Sequence, residues 1–185
     1  MNNDIIEKID TAIKKVWLED LKIDYTNHFL LKEDSLKNAF YFHLRSSLGE
    51  VFLNNNNLRI FTEYFVNGER IDLVIVQIDS EAAKEYHLSD CIIRVLTVIE
   101  MKFKGASVSP LQFYKDVDKI LSFINSWGNE TKHYLAFIQE KYFKTEDVVN
   151  WLDDEQANKV KGSVTELYAY WNQENDETIW SVVDH

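Results

Sequence analysis

Glu63, Asp72, Glu100 and Lys102 are the residues whose types and spacing could do chemistry together. Residues 58–66 and 69–77 are two β-rich runs split by Asn67-Gly68, a dipeptide that favours a two-residue type I′ turn. With that turn Val66 faces Glu69, Phe65 faces Arg70, Tyr64 faces Ile71 and Glu63 faces Asp72. Residues directly opposed in a hairpin share one face, with Cβ atoms about 5 Å apart, and two carboxylates so placed repel. A cation between them, or a proton on one, would remove the repulsion. A register slip of one residue would instead send Glu63 to the other face.

Glu100 and Lys102 are two apart, so they point to one face while Ile99, Met101 and Phe103 point to the other. They end residues 91–103, an apolar run that reads as a strand buried on both faces. An acid and a lysine in such a place are costly unless paired or bound to metal. Sequential strands are usually neighbours, which would bring Asp72 to Glu100. The set of two or three carboxylates suits Mg²⁺ or Mn²⁺. A strand-end salt bridge is the plain alternative.

The elements needed to hold this set are readable. Ile5, Ile6, Ile9, Ile13, Val16 and Trp17 predict an amphipathic helix over residues 4–20. A second helix spans 34–48 with Leu36, Ala39, Phe40, His43 and Leu44 inward, and Gly49 ends it. Ser109-Pro110 opens a helix running to about residue 126, with Phe113, Val117, Ile120, Leu121 and Ile124 inward. Residues 133–139 predict a strand, 145–158 a helix, and 164–171 and 178–183 two further strands. His43 reads as a packing histidine and Cys91 as a small core residue.

The residues 68–75 followed by Val98-Ile99-Glu100-Met101-Lys102 resemble the PD-(D/E)XK nuclease superfamily. There an aspartate starts the second core strand and Glu-x-Lys ends the third, within an order of helix, three strands, helix, strand. The similarity spans the central hundred residues. Ile71 stands where the superfamily's proline would be. The resemblance implies an α/β, restriction-endonuclease-like three-layer sandwich, with a central mixed sheet flanked by helices. One domain is expected over 1–185: a helical extension at 1–32, a core at 33–140 and a C-terminal helix and strands at 141–185. It also implies catalytic roles for Asp72, Glu100 and Lys102. Asp72, Glu100, Glu63 and the Met101 carbonyl would hold Mg²⁺ or Mn²⁺. Glu33 matches the acid that many members carry on their first core helix, and equally suits a helix first turn. Gln112 sits where some members have a polar active-site residue. The tyrosine of RecB-like members is replaced by Asp116. Lys102 would orient or deprotonate water, with a pKa that burial beside a metal can lower.

Bulk properties bound the reading. With 185 residues, 45% hydrophobic and 14% aromatic, the chain can build one full core. No apolar run is long enough for a membrane helix, the first residues do not read as a signal peptide, and one cysteine fits a reducing compartment; cytoplasm is expected. The formal net charge of −11 runs against broad nucleic-acid binding. Two functions are therefore expected candidates. One is a Mg²⁺-dependent nuclease acting on nucleic acid, DNA before RNA. The other is an inactive nuclease-fold protein, of immunity or antitoxin type, whose acidic surface covers a basic partner.

Overall fold

In the computed structural model, residues 3–66, 68–127 and 130–185 are described. Six strands form one mixed sheet in the order β1 (Leu58–Val66), β2 (Glu69–Ile78), β3 (Ile92–Gly105), β4 (Lys132–Phe143), β5 (Val164–Asn172) and β6 (Glu177–Asp184). β3, β4 and β5 run parallel, and the remaining neighbours are antiparallel. Each parallel step needs a crossover, and the chain supplies α5 (Leu111–Trp127) between β3 and β4 and α6 (Asp154–Lys159) between β4 and β5.

The two faces of the sheet bury separate clusters. On one face Leu73, Ile75, Ile99, Met101 and Ala136 pack beneath α1 (Asn3–Lys15), a π-helical stretch at Val16–Leu21 and α3 (Glu33–Leu48). The short α2 (Lys22–Thr26) and α4 (Glu50–Asn55) flank α3 in the chain. On the other face Val74, Val76, Val98, Leu135 and Phe137 pack against Phe113, Val117 and Ile120 of α5. The result is three layers, helices–sheet–helices, as expected from the sequence.

Two local expectations change, and one short helix is additional. The first helix does not end near Asp20: helical backbone runs through a π-helical stretch to Thr26, with Trp17 fully buried against Trp180. Glu50–Asn55, to which the sequence pattern assigns no element, are helical. The long helix expected at 145–158 is a single 3-10 turn at Thr145–Asp147 followed by α6 alone. Buried Glu166 on β5 takes the Trp151 and Leu152 N–H groups at 2.9 and 2.8 Å, so these amides cannot donate within a helix. Asp153 then caps α6 in a reciprocal pair with Gln156.

Candidate active site

The hairpin places Asp72. β1 and β2 pair in the register set by the Asn-Gly turn, with Val66 opposite Glu69 and Tyr64 opposite Ile71; Asn67 lies outside the described residues. The pairing is interrupted at Glu63, whose φ is +55°, so Glu63 and Asp72 are not ladder partners, and it resumes in the same register with Thr62 opposite Leu73. Around Asp72 the alternation of β2 also breaks: Ile71 joins the cluster of Val74 and Val76, whereas Leu73 and Ile75 lie on the opposite face. Local departures of this kind re-aim a side chain. Asp72 is buried; its Oδ1 meets Lys37 Nζ of α3 at 2.8 Å. Its Oδ2 accepts the Met101 N–H at 2.7 Å. The β2–β3 ladder ends at Leu73 opposite Ile99, so this carboxylate replaces the next backbone acceptor.

Met101 is the middle of Glu100-Met101-Lys102, so the contact fixes Asp72 to that triplet. Glu100, fully buried, faces α5 and pairs with Lys119 Nζ at 2.8 Å. Lys102 meets Asp116 of α5 at 3.0 Å and Glu33 of α3 at 3.4 Å, and Lys104 also approaches Glu33, at 3.5 Å. Residues from both helical layers thus converge on the C-terminal half of β3. In an open α/β sheet, the carboxyl ends of parallel strands are where ligands bind.

Burial pushes the Glu100 carboxyl up to about 8, and the Asp72 charge adds to this against the opposing pull of Lys119. Burial also raises Asp116, with Lys102 opposing. For Lys102, burial alone would lower the pKa, but Asp116 and Glu33 outweigh it and the net shift is upward. With Asp116 and Glu33 as neighbours Lys102 is held as an ammonium; the lowering expected beside a metal ion concerns the metal-loaded site. Lys37 is likewise raised, its desolvation overcome by Asp72 and Glu63.

The cation anticipated between Glu63 and Asp72 is the Lys37 ammonium, which pairs with both. Glu63 also pairs with Arg70 at 2.7 Å. Glu33 does reach Lys102, whereas Gln112 is exposed on the first turn of α5 and has no polar side-chain contact among the described residues. Sequence reading missed Lys37, Asp116 as a site residue, and Lys119. A signal existed: Gln112, Asp116 and Lys119 stand at i, i+4 and i+7, a polar stripe beside the apolar stripe of that helix.

Among the described residues, no group of three or more carboxylates, imidazoles or thiols is arranged to hold an ion. The donor chemistry nonetheless fits Mg²⁺, which is commonly held by one or two carboxylates with waters and substrate phosphate. Asp72 and Glu100 are close enough for one charge to raise the other's pKa. Glu63 pairs with Lys37 and Arg70, Asp72 with Lys37 and Glu100 with Lys119, so each of the three expected carboxylate ligands has a cationic partner. No family model, curated protein or solved structure matches the chain.

Proposed function

We propose that the chain is a divalent-metal-dependent nuclease of the PD-(D/E)XK type, with DNA as the favoured substrate. One observation carries the reading: the Asp72 carboxylate is pinned to the central amide of Glu100-Met101-Lys102. A strand-end salt bridge needs no such contact, whereas a nuclease needs the two acids and the lysine at one point. The order α3, β1–β3, α5, β4 and the approach of Glu33 to Lys102 support the same restriction-endonuclease-like reading.

Asp72 and Glu100 would hold Mg²⁺ or Mn²⁺, with the Met101 carbonyl as a neutral ligand; the ion would acidify bound water and neutralise charge on phosphate. Lys102, paired as an ammonium with Asp116 and Glu33, would place its positive charge where the five-coordinate phosphorus species gathers negative charge. Glu33 and Asp116 orient that ammonium from opposite layers. Locally the acids Glu33, Glu63, Asp72, Glu100 and Asp116 are matched by Lys37, Arg70, Lys102, Lys104 and Lys119, five against five. The chain's negative charge therefore lies elsewhere, and the site need not repel a polyanion.

The charge itself supports a second reading, an inactive nuclease-fold protein covering a basic partner. Exposed Asp153, Asp154 and Glu155 are the natural contact acids. Purified protein incubated with labelled single- and double-stranded DNA and RNA, in Mg²⁺, Mn²⁺ or EDTA, separates the two. Cleavage that EDTA abolishes supports the nuclease. A chain that cuts nothing under any ion, yet binds a basic protein and loses it when these three acids become lysines, supports the partner reading.

A further inference from the structure

Beside the charged cluster lies an aromatic trough that none of the roles above uses. Gln139 of β4 is the strand neighbour of Lys104, in parallel register. Its side chain is buried, and its Oε1 accepts the Tyr168 hydroxyl at 2.8 Å. That bond assigns the side-chain oxygen to Tyr168 and leaves the amide NH₂ as the donor group of Gln139. Gln139 lines a hollow of about 100 Å³ walled by Tyr114, Phe143, Val149, Trp151 and Tyr168, with the acid Asp147 also in its lining. The Trp151 indole N–H is enclosed and lacks a partner among the described residues. At the mouth, Val149 is 70% and Tyr114 40% exposed. Lys141 lines the same hollow.

An amide NH₂ in the lining of a hollow can donate to an acceptor on a ligand. Aromatic walls ask for a flat, π-bearing ligand, and a lysine at the rim with Lys104 on the adjoining strand asks for phosphate. A nucleotide in a single strand carries all three features, and aromatic platforms next to basic grooves are how unpaired bases are held. A base pair cannot enter, because its hydrogen-bonding edge is occupied and its faces are stacked.

We propose that this trough binds one unpaired base of the strand being cut, its ring acceptor or carbonyl taking the Gln139 amide, so that single-stranded nucleic acid is the preferred substrate. The inference rests on the nuclease reading for its substrate class, but its test does not rest on cleavage. Binding is measured in EDTA by fluorescence anisotropy, using a labelled dT12 strand, an abasic strand of equal length and charge, and a 12-base-pair duplex. Expected is tighter binding of dT12 than of the abasic strand by about tenfold, the scale of one stacked base. Tyr114→Ala, at the rim, should remove that advantage in a protein that still unfolds cooperatively above the assay temperature. Gln139→Met, which keeps the volume, should do the same if folded. Equal binding of dT12 and the abasic strand, or an unaltered Tyr114→Ala variant, overturns the subsite. Cleavage assayed separately keeps the two claims distinct. A protein that cuts, with Tyr114→Ala showing no change on any strand, overturns the trough and leaves the nuclease. One that binds dT12 through Tyr114 but cuts nothing keeps the trough and overturns the nuclease. A protein that binds no oligonucleotide overturns the trough as well.

Discussion

Lys119 shows how a buried carboxylate is tolerated when no ion is bound. Its ammonium pairs with Glu100 Oε1 and donates to the Arg70 carbonyl, so one lysine offsets the charge and ties α5 to β2. Lys119→Met leaves Glu100 facing Asp72 alone. The expected cost in EDTA is about 1–3 kcal/mol, as for a buried acceptor stripped of its partner. Saturating Mg²⁺ should recover part of that loss if the carboxylate pair binds metal. Thermal melts of the variant in EDTA and Mg²⁺ check this; equal losses in both would place the ion elsewhere. A second buried residue gives a pH signature. His133 is fully buried, neither ring nitrogen has a partner among the described residues, and burial lowers its pKa from 6.5 to about 4. The unfolded chain binds this proton first, so the stability associated with His133 is present above about pH 6.5 and is lost as pH falls towards 4. His133→Leu should match the parent at pH 7.5 and exceed it at pH 5 in urea unfolding. Parallel pH profiles for the two proteins would count against a neutral buried imidazole.

Among the elements, what could be read and what could not separate along physical lines. The hairpin was legible because turn geometry fixes pairing: Asn67-Gly68 set Tyr64 opposite Ile71, and strands of period 2 carry that register along. The layers were legible because α3 and α5 each bear a single apolar stripe. The helix expected at 145–158 fails for a reason no local pattern contains, since Glu166 lies in a later strand and captures amides the helix would have used. Glu166→Leu tests that account. It strands two buried N–H groups and the His185 ring, which sits 3.0 Å from Glu166 Oε1. A loss of about 3 kcal/mol is expected in chemical denaturation, with faster amide exchange at Trp151 and Leu152. No change in either would mean that the segment is held by its aromatic contacts. In the site, Asp72, Glu100 and Lys102 were legible from a turn and a triplet. Lys37 and Lys119 were not, because their partners come from elements distant in sequence.

At the scale of the whole molecule, a chain of net charge −11 concentrates five cationic side chains around five acids at one end of its sheet. The inner members of this cluster, Lys37, Asp72, Glu100, Lys102, Asp116 and Lys119, are expensive to bury, and replacing buried ion pairs with apolar side chains is often neutral or stabilising. Stability alone therefore gives little reason for it, and catalysis gives one. Of its members, Lys102 separates chemistry from structure best, because under the proposed nuclease function its charge would matter most as phosphorus becomes five-coordinate. The decisive measurement is single-turnover cleavage of labelled single-stranded DNA at saturating Mg²⁺ by the parent protein and by Lys102→Ala, each first shown to fold and to bind Mn²⁺ equally. The expected result is a fall of about a hundredfold or more with metal binding retained. Equal rates for the two proteins, or no cleavage by the parent at all, would contradict the assignment of Asp72, Glu100 and Lys102 as a nuclease site.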